Sequence, residues 1–220
     1  MVCVPYIISA IFAYLISGLN PAIIMSNAIY KKDIRTLGSK NPGFTNFKRV
    51  FGARYAWFVF ALDIFKGALI SILSGGLFIA FGQNRQVGVA FAGLFAMLGH
   101  DFPIYYGFKG GKGFLVNLST LWFIDPRAGL IGSLVLVILL LSTKYMSLST
   151  MCALSSGAIA AALLGAPLPA VLIYSLCVLF MIFRHAENIK RLIKGEERKF
   201  ELFKSEKQAS QTEEGSKDSK

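Results

Sequence analysis

The chain has 220 residues, of which 55% are hydrophobic and only 16% charged, and its mean hydropathy is +0.58. That excludes an ordinary soluble domain and describes a single polytopic membrane domain. The formal charge of +11 would point to nucleic acid in a soluble protein. Here the basic residues fall in short blocks between apolar spans, where they set topology and contact anions, so no nucleic-acid partner is implied.

Residues 1–30 carry no charge. They lack the basic start of a signal peptide, are long enough to cross a bilayer, and read as a retained first span. Residues 31–54 hold Lys31, Lys32, Arg35, Lys40, Lys48, Arg49 and Arg54 against Asp33 alone. That excess places the block in the cytoplasm and the amino terminus outside. A second span over 55–82 turns at Gln83-Asn84-Arg85, and 86–99 returns. Residues 100–113 are then cytoplasmic, 114–124 lead out to Asp125-Pro126-Arg127, and 128–143 come back to Lys144. The stretches 86–99 and 114–124 fall short of the roughly 20 residues of a full crossing, which predicts that this pair is tilted, broken or extended into the loop between them. Residues 145–183 are uncharged and too long for one helix, and Gly165-Ala166-Pro167-Leu168-Pro169 divides them into a hairpin.

The expected fold is all-α and polytopic, with about seven transmembrane helices, the amino terminus outside and the carboxyl terminus cytoplasmic. A membrane domain covers 1–204, and the Lys/Glu/Ser/Gln-rich 205–220 form a disordered charged tail. Cys3, Cys152 and Cys177 lie in apolar runs without metal-ligand spacing and imply neither disulfide nor zinc.

This topology puts three polar segments on the cytoplasmic face. The first runs Gly38-Ser39-Lys40-Asn41-Pro42-Gly43-Phe44-Thr45-Asn46 and on to Lys48 and Arg49, offering hydroxyls, amides and cations suited to a phosphorylated polyol. The second opens with Gly99-His100 and continues to Gly107-Phe108-Lys109-Gly110-Gly111-Lys112-Gly113, whose glycines leave backbone N–H groups bare beside fixed positive charge. This suits a phosphate cradle, or else a flexible basic connection. It is no P-loop, since Phe114 stands where the metal-binding hydroxyl belongs. The third runs from Arg184-His185 to Glu197 and places His185, Asn188 and Arg191 on one helical face. A basic helix held to anionic headgroups would have no need of its histidine and asparagine. Asp63 and Lys66 share a helical face inside the second span, as a structural pair or as a substrate contact. Before Arg184 the acids are Asp33, Asp63, Asp101 and Asp125, with no spacing for a carboxylate metal site, and there is no Gly-x-Ser-x-Gly elbow.

Together, D-I-R-x-x-G-S-x-N-P-G-x-T-N-x-x-R from Asp33 to Arg49, D-I-x-K-G from Asp63 to Gly67, G-H-x-F-P with G-F-K-G-G-K-G, and R-H-x-x-N-I-x-R-L-x-x-G-x-E ending at Glu197 resemble the PlsY-type acyl-phosphate:glycerol-3-phosphate acyltransferases of bacterial membranes. The resemblance covers nearly the whole chain. It implies transfer of a fatty acyl group from acyl phosphate to the 1-hydroxyl of glycerol 3-phosphate, giving lysophosphatidic acid and phosphate at the cytoplasmic side of the bacterial inner membrane. No metal, acyl-CoA or other cofactor is implied. On this basis His185, Asn188 and Lys112 are the expected catalytic residues. Gly38, Ser39, Asn41, Thr45, Asn46, Arg49, His100, Gly110, Gly111, Gly113, Arg191 and Glu197 are expected to bind substrate. The chain departs from the family pattern at Lys40, usually glycine, at Phe44, usually alanine, and at Phe114-Leu115-Val116, commonly Val-Ala-Thr. A transporter of a phosphorylated solute and a non-catalytic paralogue are the rival readings; the first should show paired interrupted helices in two related halves, and none is evident.

Overall fold

The structure, a computed structural model, describes residues 2–201, so the expected tail at 205–220 and the domain boundary at 204 lie outside the described residues. Those described form ten α-helices and no strand: α1 Val4–Gly18, α2 Pro21–Tyr30, α3 Phe44–Phe51, α4 Ala53–Ala80, α5 Arg85–Asp101, α6 Phe114–Ile124, α7 Pro126–Thr143, α8 Met146–Leu163, α9 Leu168–Arg184 and α10 Ala186–Ile193. Five stretches are long and apolar enough to cross a membrane: Val4–Tyr30, Ala53–Ala80, Arg85–Tyr106, Pro126–Thr143 and Met146–Leu163. The bent pair of α9 and α10 makes a sixth.

Side-chain chemistry sets the helix ends. Asn84 caps α5 by accepting from Val87 N at 3.1 Å, and Asp125 caps α7 by accepting from Arg127 N at 2.8 Å, so both expected turns form where the sequence puts them. The short pair resolves asymmetrically. The apolar stretch containing α5 reaches Tyr106, whereas α6 has only 11 residues.

Two features add detail that the sequence reading lacked. The first apolar stretch is two helices, because Asn20 caps α2 through Ile23 N at 3.1 Å and Pro21 follows at the first helical position, where its missing N–H costs nothing. The basic helix expected from Arg184 forms as α10, set off from α9 by a bend of 59° at His185.

Helix α5 is the axis of the bundle, packing on α1, α4, α6 and α9, while α7 and α8 pair beside α6. One apolar core joins α5, α6, α8 and α9 around the fully buried Tyr174, Leu121 and Met181. A second lies under α2, α3 and α4 around Phe47, Ile34 and Val59. The outward faces are also apolar. Phe65, Ile138, Leu141, Leu163, Leu179 and Phe183 are each more than 60% exposed, a surface that water would penalise by about 25 cal/mol per Å² and that hydrocarbon does not. The molecule is an all-helical membrane protein.

Candidate active site

Residues 33–46 form a knotted turn held by its own polar atoms. Asp33 chelates Arg35, whose Nη1 donates to Tyr106 O at 2.8 Å and so ties this turn to the loop after α5. That pairing holds the Asp33 carboxyl below its usual pKa. Gly38 adopts φ +60, and a Cβ there would also collide with Asn46 Oδ1. Asn46 donates to Leu37 O (3.0 Å) and accepts from Ser39 N (2.8 Å), so its amide shapes the turn that presents Ser39. Asn20, at the α1–α2 break, donates to Pro42 O at 3.1 Å from below.

The glycine loop is narrower as a cradle than its sequence suggests. The N–H groups of Phe108, Gly110 and Gly111 donate inward, to Pro103 O, Asp101 O and His100 O, each at 3.0 Å. Those of Lys112 and Gly113 have no backbone acceptor among the described residues. Of the loop's last five residues, only Lys112 and Gly113 keep bare donors, at the entrance of α6, where its dipole adds positive potential. Arg184 Nη2 donates to Gly111 O at 3.0 Å and fastens the loop to the end of α9.

In the third segment, Gly195 (φ +71) turns the chain back so that Glu197 meets α10. Its carboxylate accepts from Asn188 Nδ2 (2.6 Å), Ser147 Oγ (2.7 Å) and Arg191 Nε (2.8 Å). Burial alone would raise the pKa of Glu197, but these hydrogen bonds outweigh it and hold the group ionised. Asn188 Oδ1 in turn accepts from Lys112 Nζ. Burial, followed by the charge of Arg191, pulls the Lys112 ammonium down to about 8. His185 lies at the bend, with Nδ1 2.9 Å from Met181 O. A carbonyl only accepts, so Nδ1 carries the proton and Nε2 presents a lone pair.

The three segments meet in a cavity of about 810 Å³. Every site residue expected from the sequence lines it except Gly111, which packs against the edge of the His100 ring. Lys40, Arg49, Lys112, Arg184, Arg191 and Arg198 face it against the acids Asp63, Glu187 and Glu197, leaving an excess of positive charge. Burial, then the charge of Arg198, lowers the pKa of Arg49, yet an arginine stays charged at any physiological pH. Away from this charge the lining is Trp57, Phe60, Leu136, Leu140, Met146 and Phe200. The sequence reading missed this apolar half, together with Arg184, Ser147 and Arg198. Arg184 had a signal, standing next to His185, whereas the apolar residues look the same in sequence as residues facing lipid.

A cationic pocket continuous with an apolar slot, set in a helical membrane bundle, has the chemistry that would suit a phosphorylated amphiphile. A sequence model of the glycerol-3-phosphate acyltransferase family matches residues 7–195, and the chain belongs to that family. The glycerol-3-phosphate acyltransferase of Finegoldia magna is 37% identical over 198 residues, covering 88% of this chain and 95% of the relative. That of Aquifex aeolicus is 35% identical over 193 residues, covering 86% and 96%. Among solved structures, the glycerol 3-phosphate form of PlsY (YgiH), an integral membrane glycerol 3-phosphate acyltransferase, superposes with a TM-score of 0.82 at 31% identity, covering 89% of this chain and 96% of that one. Its lysophosphatidic acid form gives 0.79 at 30% identity, covering 89% and 95%.

Proposed function

We propose that this chain is a glycerol-3-phosphate acyltransferase that uses acyl phosphate as donor, forming lysophosphatidic acid and inorganic phosphate at the cytoplasmic face of a bacterial inner membrane. The observation that carries the reading is the two-ended cavity, cationic where the three motifs meet and apolar between α4, α7 and Phe200. Glycerol 3-phosphate and the phosphate of the donor fit the first end, and the acyl chain fits the second. The positive-inside pattern supports seven crossings with the amino terminus outside, α6 being the short one.

Acyl phosphate is a mixed anhydride and already activated, so the work left to the protein is positioning and charge neutralisation. Ser39, Asn41, Thr45, Arg49 and Lys112 hold phosphate oxygens, with Asn46 keeping the first turn in shape. Asn188, fixed between Lys112 and Glu197, and the lone pair of His185 Nε2 orient the 1-hydroxyl. The hydroxyl oxygen bonds to the acyl carbon, the carbon–oxygen bond to phosphate breaks, and the departing phosphate leaves with the bonding pair and takes up the hydroxyl proton. Glu197 and Arg191 act by holding Asn188.

The test is to incubate the purified full-length protein with acyl phosphate and glycerol 3-phosphate and follow phosphate release. Lys112→Ala and Arg49→Ala are each expected to lose at least tenfold to a hundredfold in kcat/KM, since a hydrogen bond to a charged group contributes about 1.5–3 kcal/mol. Turnover near wild type in either variant would sink the phosphate assignment. No turnover in wild type, with neither substrate bound, would favour a non-catalytic paralogue.

A further inference from the structure

Asp63 and Lys66 lie outside the three segments, and the structure gives the pair a purpose. Lys66 Nζ is 2.9 Å from Asp63 Oδ1 and directs its hydrogens at Ser17 O (2.9 Å), Leu19 O (3.4 Å) and His100 Nδ1 (3.0 Å). Asp63, Lys66, Ser17 and His100 are all buried. An ammonium group donates and cannot accept, so His100 Nδ1 must be the acceptor. Asp63 Oδ1 is 3.6 Å from the same nitrogen, too far to take a hydrogen bond from it. The imidazole proton is therefore on Nε2. That nitrogen points at the glycine loop, where a Cβ on Gly111 would strike it, and the ring lines the cavity with Gly110 and Lys112. His185 is the reverse case, with its proton on Nδ1 and its lone pair on Nε2.

We propose that the Asp63–Lys66 pair is a positioning device that holds His100 as a neutral Nε2–H donor, which binds a substrate phosphate oxygen beside Lys112. The cavity then contains one donor histidine and one acceptor histidine. The proposal rests on the phosphate reading of the glycine loop given above. It explains why a buried ion pair is present where aliphatic side chains would be no less stabilising. It also joins the two phosphate segments mechanically: the carbonyls that Lys66 holds lie at the α1–α2 break, whose Asn20 supports the first segment through Pro42 O.

The chain has two histidines, so protein labelled with ¹⁵N-histidine gives two imidazole signal sets, and the nitrogen shifts report each tautomer directly. In the solubilised full-length protein one neutral Nε2–H and one neutral Nδ1–H ring are expected at neutral pH, with His100→Gln assigning them by loss of one set. Glycerol 3-phosphate or inorganic phosphate should shift the Nε2–H set. Lys66→Met should change the tautomer of His100 and leave His185 unchanged, and it should raise KM for glycerol 3-phosphate more than it lowers kcat. His100→Leu should lose roughly tenfold to a hundredfold in kcat/KM, most of it recovered in His100→Gln, whose amide can donate from the same place. Two rings of the same tautomer, an imidazolium at position 100, or signals indifferent to phosphate and to Lys66→Met would overturn the proposal. Opposite tautomers and a phosphate shift without turnover would overturn the acyltransferase reading and leave this one standing. Turnover with matching tautomers would do the reverse.

Discussion

Lys112 on the glycine loop donates from Nζ to Asn188 Oδ1 on α10, and the same amide donates from Nδ2 to Glu197 Oε1 at 2.6 Å. The asparagine is thereby held in one of its two flips, oxygen toward the cation and nitrogen toward the carboxylate. Asn188→Asp should therefore be far more damaging than its size suggests, because it sets two carboxylate oxygens at that 2.6 Å separation. A loss of at least tenfold in kcat/KM is expected from a broken charged hydrogen bond alone. The double variant Asn188→Asp with Glu197→Gln restores a donor–acceptor pair and should recover much of it. A double-mutant cycle with no coupling would show that the two side chains do not act together.

Lys112 makes phosphate binding depend on pH. Its ammonium is charged below about 8 and loses its proton as pH rises through that value. Because the shift belongs to the empty site, it should appear in kcat/KM, falling roughly tenfold per pH unit above 8, and less in kcat, since bound phosphate stabilises the ammonium. In Lys112→Arg the cation persists to far higher pH, so that limb should flatten even though a guanidinium fits the position less well. An unchanged alkaline limb in Lys112→Arg would assign it to another group.

His185 differs in kind, since its Nε2 lone pair can orient the hydroxyl without keeping the proton. In His185→Asn the pH–rate profile should keep its shape while its height falls, by less than the 10²–10⁴-fold typical of a lost general base. Disappearance of the acidic limb of the profile in that variant would instead make His185 the base.

Much of this was legible from residues that act locally. Asn84 and Asp125 cap the helices that follow them, and Gly165 takes φ +85 at the predicted break, because each needs only its immediate neighbours. The motif residues converge because the apolar spans return them to one end of the bundle. What the sequence did not disclose depends on partners distant in the chain. The break at Gly18–Leu19 carries its own signal in Asn20-Pro21, but Lys66 comes from α4 to occupy its carbonyls. The inward turning of the Gly110 and Gly111 N–H groups depends on the His100 and Asp101 carbonyls at the end of α5, and beyond the bend at His185 α10 packs on α8. Lipid-facing and chain-binding residues share one composition, so only the fold separates Trp57 and Leu140 on the cavity wall from Phe65 and Ile138 on the outside.

Val116 stands where the resemblance leads one to expect threonine, and its placement decides what that departure means. It is fully buried among Ala13, Ile70, Ala92 and Ala96, while its neighbours Phe114 and Leu115 line the cavity. A hydroxyl at 116 would therefore enter apolar packing on the far side of α6 from the phosphates. It could bond back to the carbonyl one turn earlier, at Gly113, at little net cost. Left unpaired, it would cost about 1–3 kcal/mol. Either way the effect falls on stability, and Val116→Thr should leave KM for both substrates within roughly threefold of wild type, well under the tenfold or more of a lost charged contact. Thermal unfolding of the two proteins in the same detergent should show the variant equal or less stable. The outcome that would overturn this is an inactive wild type made active by the threonine, which would place the hydroxyl in the reaction and show the charged residues of the three segments to be insufficient without it.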